Sequence, residues 1–151
     1  MKNPDTITEN STMANDETAA LTIPGQELEG TKKPWCSFQP KTREDKARLY
    51  QALTNPENKI SDCINKIIEL KDILVEWVEM ADQNGEIVEQ PRCVLFDADG
   101  HTYAAVSRGL FNSLHRLCLV FGTPTWEEPI PVEVKQVQNG ERRFYTLEVK
   151  M

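Results

Sequence analysis

The sequence predicts a mainly β domain behind a polar N-terminal tail, and three observations support this fold class. Two segments, Pro91 to Gly109 and Ile130 to Val149, alternate apolar and polar residues as half-buried strands do. Each is centred on a signal for a tight hairpin turn, Asp99-Gly100 in one and Asn139-Gly140 in the other. A third segment, Lys66 to Met80, is dominated by Ile, Val and Leu and fits helical spacing poorly.

Residues 1 to 36 are predicted to be a disordered acidic tail, and residues 37 to 151 a single folded domain. The tail is rich in Thr, Asn, Glu, Pro and Gly, so it cannot bury enough apolar surface to offset the entropy of ordering. Up to Pro40 the chain carries six acidic and three basic residues, and its total net charge is −7. The tail therefore either recruits a partner or only solvates the domain.

A short helix is predicted from Arg43 to Leu53, ahead of the strands. Thr42 can cap its N-terminus, and Glu44 and Asp45 place negative charge in the first turn, where the helix dipole favours it. Asn55-Pro56 ends the helix, because the residue before a proline disfavours helical geometry.

The segment from Lys66 to Met80 is predicted to be one long strand that bends or bulges midway. Before Lys71-Asp72, Ile68 and Leu70 share one face, whereas apolar residues beyond this point fall on both faces. Trp77 is therefore either exposed to a ligand or buried in the bent strand.

The first hairpin has a register that follows from its turn. With Asp99-Gly100 as a two-residue loop, Phe96 faces Tyr103, and Arg92 lies on the same side of the sheet. The opposite, core face then holds small apolar residues: Cys93, Leu95, Ala104 and Val106. A three-residue loop, Ala98 to Gly100, would instead put Phe96 and Tyr103 on opposite faces.

Between the hairpins, helical spacing predicts an amphipathic helix of about 13 residues from Leu110, with Gly122 as its stop. Beyond it, Trp126 is expected to anchor a loop against the core. Trp35 and Phe38 are expected to dock the tail onto the domain.

The second hairpin has one uniformly apolar face, on which Val132 is predicted to meet Leu147 and Val134 to meet Tyr145. The other face carries Lys135, Arg142 and Phe144, and Lys135 is predicted to pair with Phe144 there.

The order of elements is helix, three strands, helix, two strands, which is that of an OB-type barrel after a short N-terminal helix. We therefore predict a five-stranded OB-type barrel with a helix between strands 3 and 4. Such barrels bind oligonucleotides on strands 2 and 3 and at the loops joining strands 1 to 2 and 4 to 5.

No catalytic, metal or cofactor site is expected. The four cysteines lie 25 to 30 residues apart without a Cys-x-x-Cys pair, and the two histidines have no obvious ligand partner. There is no Gly-rich phosphate loop, and Ser107 lacks a nucleophile context. The polar N-terminus and the absence of a long apolar run predict a cytoplasmic protein with reduced cysteines. The absence of these motifs predicts that the protein is not an enzyme.

Aromatic and basic residues on the non-core faces are typical of a surface that stacks bases and neutralises phosphates. The candidate single-stranded DNA contacts are Trp77, Arg92, Phe96, Tyr103, Lys135, Arg142 and Phe144. Two observations weigh against this interpretation. The chain is acidic, and the Phe96–Tyr103 pair could instead pack beneath the N-terminal helix.

Several stretches resemble one known family. They are SFQPKTREDKARLYQAL from Ser37, INKIIELKDILVEWVE from Ile64, VLFDADGHTYAAVSRGLFNSL from Val94, FGTPTWEEPIPVEVKQV from Phe121 and FYTLEV from Phe144. Together they resemble the single-stranded DNA-binding proteins of bacteriophages that infect Gram-positive bacteria, including small protein-primed tailed phages.

The resemblance implies an OB-fold that coats displaced single strands during phage DNA replication in the host cytoplasm, without cofactor or catalysis. Phage replication proteins are possible partners of the acidic tail. The alternative is a protein-interaction module, a phage factor that binds a host or replication protein and no nucleic acid. The negative net charge of the chain favours that alternative.

Overall fold

The computed structural model describes residues 34–151, so the predicted tail lies almost wholly outside the described residues. In chain order the elements are β1 (Trp35–Cys36), α1 (Arg43–Thr54), β2 (Asn58–Lys59), a 3-10 turn (Ile60–Asp62), β3 (Ile67–Ala81), β4 (Ile87–Asp97), β5 (Thr102–Val106), α2 (Arg108–Phe121), β6 (Ile130–Asn139) and β7 (Arg142–Val149). Neither α-helix within this part of the chain has the length and apolar character needed to cross a membrane.

The strands form a single curled, mainly antiparallel sheet, a half-barrel with the order β2-β5-β4-β3-β6-β7, and β1 adds to β3. The described part of the chain has seven strands rather than the five expected. The two additional strands, β1 and β2, have two residues each. Strand β1 lies at the end of the predicted tail, and β2 lies between the predicted helix and the predicted first strand. Strand β3 pairs with β6 up to Leu70, with β4 from Leu70 onward and with β1 further along, and its register with β4 shifts between Leu70 and Asp72. The predicted mid-strand irregularity is therefore confirmed, and it lets one long strand serve both halves of the curled sheet.

Both faces of the central strands are buried, in two separate cores. On the concave side, Leu110 and Leu114 of α2 pack against Ile73, Leu95 and Val132. On the other side, α1 covers a smaller set of residues: Cys36, Leu49, Ala52, Leu74, Val94 and Phe96. A strand buried on both faces has no polar alternation, which explains the continuous Ile73–Val75 run.

Helix α1 begins after Thr42, whose hydroxyl accepts the backbone N–H of Asp45 at 3.0 Å. The Asp45 carboxylate in turn accepts the backbone N–H of Thr42 at 3.4 Å, a reciprocal capping box. The backbone N–H groups of Thr42 and Lys41, which donate to the Asp45 carboxylate, hold the pKa of Asp45 below its usual value. The helix ends at Thr54, one residue beyond the predicted Leu53.

The predicted register of the β4–β5 hairpin is wrong by one residue. Leu95 pairs with Tyr103 and Phe96 with Thr102. The turn is the three-residue loop that the sequence left as the alternative, closed by a 2.9 Å hydrogen bond from the Asp97 N–H to the His101 carbonyl. The Asp97 carboxylate also accepts the backbone N–H of His101 at 2.9 Å, so this side chain stabilises the longer loop over the Asp-Gly turn.

The β6–β7 hairpin keeps its predicted faces but not its predicted pairs. Asn139 pairs with Arg142 across a two-residue Gly140-Glu141 loop, with Gly140 at φ 67°. All pairs are consequently shifted by two residues, so that Val134 meets Leu147. A shift of two conserves the side of the sheet on which each residue lies, because side chains alternate with a period of two.

A buried polar cluster ties the N-terminal segment and the α2–β6 loop to β3. The Asp72 carboxylate accepts hydrogen bonds from the hydroxyls of Ser37, at 2.8 Å, and Thr125. Trp126 is buried in the same loop, and its indole N–H donates to the Gly122 carbonyl at 3.2 Å, so the prediction that it anchors the loop is confirmed. Trp35 packs against the concave core.

Candidate nucleic-acid interface

A cleft of about 740 Å³ opens where the curled sheet leaves its two long hairpins apart. One wall is the β3–β4 hairpin, another is the start of α2, and the third is the β6–β7 hairpin. We call it the arginine cleft, since three of the side chains that line it are Arg108, Arg142 and Arg143. Phe144 also lines it, with its side chain half-buried.

The start of α2 positions the first of these arginines. The Ser107 hydroxyl accepts the backbone N–H of Leu110 at 3.1 Å and caps the helix, so Arg108 occupies its first turn. The Arg108 guanidinium donates to the Glu89 carbonyl at 3.1 Å and lies 5.7 Å from the centroid of the Trp77 ring. It thereby bridges the helix and the β3–β4 hairpin.

Gly109 allows α2 to approach β7 closely. A Cβ at this position would lie 2.8 Å from both a ring carbon of Phe144 and the carbonyl oxygen of Tyr145. Any larger residue would therefore push the helix away from the strand that carries Phe144 and Arg142. The width of the cleft depends on this contact.

The cleft is locally basic in an acidic chain. Its lining includes three arginines and only two carboxylates, those of Asp82 and Glu141. The Asp82 carboxylate already accepts the backbone N–H groups of Asn84 and Glu86, at 2.9 Å each. The net charge of −7 therefore does not describe the field at this site.

Two of the predicted contact residues, Arg142 and Phe144, line the arginine cleft. Trp77 lies beside it, half-buried beneath Arg108 and edge-on to the Phe111 ring at 5.3 Å. The structure therefore brings together three of the seven candidates.

Phe96 and Tyr103, predicted to share a face, lie on opposite faces of the sheet because of the three-residue turn. Phe96 is only 1% exposed and meets Phe38 edge-on at 5.3 Å beneath α1. Tyr103 packs towards the concave core, and its hydroxyl donates to the Asp97 carboxylate at 2.9 Å. Burial, followed by that hydrogen bond, raises the pKa of Tyr103 to about 12. The predicted Phe96–Tyr103 stacking face is absent from the described structure, and Phe96 packs beneath α1, as the alternative interpretation held.

The remaining two candidates form ion pairs outside the cleft. Arg92 lies 3.1 Å from the Glu76 carboxylate and reaches the Ala52 carbonyl at 3.4 Å, which ties β4 to α1. Lys135 lies 3.2 Å from Glu133. The hydrogen bond from Lys135 is the largest of the causes that lower the pKa of Glu133.

Two arginines of the cleft, Arg108 and Arg143, were not among the contact residues predicted from the sequence. Arg143 follows Arg142 directly, but strand alternation assigned it to the core-facing side, where a charged residue was not sought. Arg108 follows Ser107, and recognising Ser107 as a helix cap would have located it.

No group of three or more His, Cys, Asp or Glu side chains within residues 34–151 is arranged to hold a metal ion. The four cysteines are free thiols. Burial raises the pKa of Cys93 to about 12 and, with smaller contributions from neighbours, that of Cys36 to about 11, so neither is an activated nucleophile.

A family model described as phage single-stranded DNA-binding protein matches residues 29–150, which is most of the chain. No curated protein and no solved structure matches. The match extends over both hairpins, both helices and the arginine cleft between them. The chain belongs to the phage single-stranded DNA-binding protein family.

Proposed function

We propose that this protein binds and protects single-stranded DNA without strong sequence preference during phage DNA replication, with the strand in the arginine cleft. The observation that carries the proposal is that Arg108, Arg142, Arg143 and the Phe144 ring line one cleft. Neither catalysis nor a cofactor takes part in it, and the bacterial host cytoplasm is its site of action.

The arrangement of strands supports this location of the ligand. We assign β3 to β7, with α2 between the third and fourth of them, to the five-stranded OB type. In OB-folds the ligand contacts the loops joining strands 1 to 2 and 4 to 5. Those loops correspond here to the tips of the β3–β4 and β6–β7 hairpins, which flank the arginine cleft.

The mechanism we propose combines backbone electrostatics with stacking. Arg142 and Arg143 are exposed, and no carboxylate within residues 34–151 forms an ion pair with either, so both can contact phosphates. Phe144 supplies a ring for a base to stack on. Every base has a π-face and every nucleotide a phosphate, so this chemistry tolerates any sequence.

The test compares the full chain on oligo-dT and on a duplex of equal length, at two salt concentrations. We expect much tighter binding to the single strand, because a cleft lined by a half-buried ring suits unstacked bases rather than a paired duplex. Equal affinity for the two ligands would contradict the proposal.

Three variants locate the site. Phe144→Ala should weaken binding by about 1–3 kcal/mol, the usual value of a base–aromatic stack. Arg142→Ala should weaken it less and flatten the log–log salt dependence by about 0.7, the single-strand value for one phosphate contact. Arg116→Ala, an exposed arginine on α2 outside the cleft, is the matched control and should change neither. A loss for Arg116→Ala equal to that for Arg142→Ala would show that binding is not localised to the cleft.

The alternative function is a protein-interaction module. The observation that favours it is an exposed apolar pair at the end of α2, where Leu119 and Val120 are 71% and 78% exposed. A phage replication protein that contacts the acidic tail is a further partner we propose, although that tail lies outside the described residues. Absence of oligonucleotide binding at low salt would favour the interaction module.

A further inference from the structure

A second, smaller pocket adjoins the arginine cleft along α2. Its volume is about 300 Å³, and its walls carry four aromatic rings, those of Trp35, Trp77, Phe111 and His115. Its floor is aliphatic and belongs to the concave core. No carboxylate of the described residues lines it. We call it the aromatic pocket.

The aromatic pocket is linked to the arginine cleft through Arg108, which lines the cleft and lies over the Trp77 ring of the pocket. Positions 108, 111 and 115 recur at helical spacing, so Arg108, Phe111 and His115 share one face of α2. Arg108 lies 5.7 Å from the centroid of Trp77, and the Trp77 and Phe111 centroids are 5.3 Å apart. Phe111 and His115 are nearly parallel, at 16° and 6.4 Å. A row of rings therefore runs along the pocket from Trp77, the ring nearest to Arg108, to His115.

We propose that the aromatic pocket binds one unstacked nucleobase of the single strand whose backbone lies in the arginine cleft. This inference rests on the proposed function and adds to it a defined base subsite. Its volume is at the lower end of the range for pockets that take small ligands, which suits one planar base rather than a folded segment of protein.

Three features favour a nucleobase over other occupants. The rings of Trp77, Phe111 and His115 offer π-faces or edges to a planar ligand. The Arg108 guanidinium lies next to Trp77 and has further N–H donors besides the one that contacts the Glu89 carbonyl. A phosphate bound by these donors would hold its base near Trp77. The exposed His115 ring pairs with no hydrogen-bonding group within residues 34–151, so its nitrogens can reach a base edge.

The three tryptophans make this inference measurable. Trp35 and Trp77 line the aromatic pocket, whereas Trp126 is buried in the α2–β6 loop with its indole N–H bonded to Gly122. In a Trp126→Phe background, tryptophan emission therefore reports on the pocket. We expect saturating oligo-dT to quench it, and an oligonucleotide of the same length that carries abasic residues to quench it far less.

Variants on α2 test the subsite independently of tryptophan. His115→Ala should weaken binding of labelled oligo-dT roughly fivefold or more, the lower end of one base–aromatic stack. Phe111→Leu keeps an apolar side chain but removes the ring, and it should have a similar effect with the melting temperature retained. Leu119→Ala is the matched control, since Leu119 is exposed on the same helix and does not line the pocket. It should leave affinity unchanged.

Photocrosslinking supplies the second measurement. An oligo-dT in which single positions carry 5-iodouracil should crosslink to Trp77 or His115 upon irradiation, as mapped by mass spectrometry. If labelled oligo-dT binds in anisotropy but no emission is quenched and crosslinks form only at cleft residues such as Phe144, the base subsite is overturned while DNA binding stands. If anisotropy detects no binding at all, the proposed function itself fails.

Discussion

Replacing Phe96 by alanine tests whether its face of the sheet is covered by α1 or is open to a ligand, as the sequence predicts. In the predicted register the ring lies on a ligand face, so the substitution would weaken DNA binding and leave folding intact. In the structure the ring is 1% exposed beneath α1 and meets Phe38 edge-on, so the substitution should act on folding.

The magnitude follows from burial. A fully buried phenylalanine replaced by alanine loses about 3–5 kcal/mol of unfolding free energy, from lost transfer energy and the cavity left behind. Since domains are stable by about 5–15 kcal/mol, this is a large fraction of the total. A loss of this size corresponds to a fall in melting temperature on the order of 10–20 °C for a domain of this size.

The assay pairs urea denaturation with titration of labelled oligo-dT under conditions where the variant remains folded. We expect Phe96→Ala to lower the denaturation midpoint strongly and to bind DNA with near wild-type affinity. Phe144→Ala, on the half-buried ring that lines the arginine cleft, should do the reverse. A Phe96→Ala protein with an unchanged midpoint and weakened binding would refute the burial of this ring beneath α1.

The remaining predictions test the polar cluster, the pH response, the thiols and the helix–strand contact. Asp72→Ala should cost about 1–3 kcal/mol in urea denaturation, because the buried hydroxyl of Ser37 loses its acceptor; an unchanged midpoint would refute this. The hydrogen bond that the His101 ring donates to the Glu57 carboxylate raises the pKa of His101, so the small stabilisation from this pair is complete below the unfolded value of about 6.5 and is lost as pH rises through the raised folded value. The melting temperature of the wild type should therefore fall slightly more over that interval than that of His101→Gln, and parallel curves would argue against the pair. Cys93, fully buried with its pKa raised to about 12, should react with a thiol reagent at pH 8 only after unfolding, and rapid labelling of the native protein would contradict its burial. Gly109→Ala should weaken DNA binding and lower the melting temperature together, because its Cβ would meet Phe144 and the Tyr145 carbonyl, and a variant with wild-type affinity would show that the contact does not set the cleft.

The strand faces were more predictable than the strand pairs. In the β6–β7 hairpin, alternation placed Val132 and Val134 on the core face, and both are buried although the register moved by two residues. In the β4–β5 hairpin, the register moved by one residue, and Tyr103 lies on the face of Leu95 instead of the face of Phe96. The difference arises from the Asp97 carboxylate, which closes the longer loop by accepting the His101 N–H. The Asp-Gly motif alone does not show that a neighbouring carboxylate favours a three-residue loop over a two-residue turn.

The candidate site was predictable only in part. Arg142 and Phe144 were found because they lie on a face that the core does not use. Arg92 and Lys135 satisfied the same criterion, but Glu76 and Glu133 are their partners, and a sequence without spatial neighbours does not reveal an ion pair. Arg108 was missed because it contributes to the cleft through the position of α2 rather than through a strand pattern.

The sequence by itself determined the mainly β character, the irregularity in the long first strand, the capped helix after Thr42 and the apolar face of the last hairpin. Each of these depends on residues close together in the chain, through periodicity, capping or turn chemistry. Tertiary structure alone decided that α1 buries Phe96, that two hairpins distant in sequence flank one cleft, and that Arg108 lines this cleft together with Arg142 and Phe144. Those outcomes depend on how the helices pack against the curled sheet. Packing brings together residues that are far apart in the chain, and local sequence patterns do not reveal such contacts.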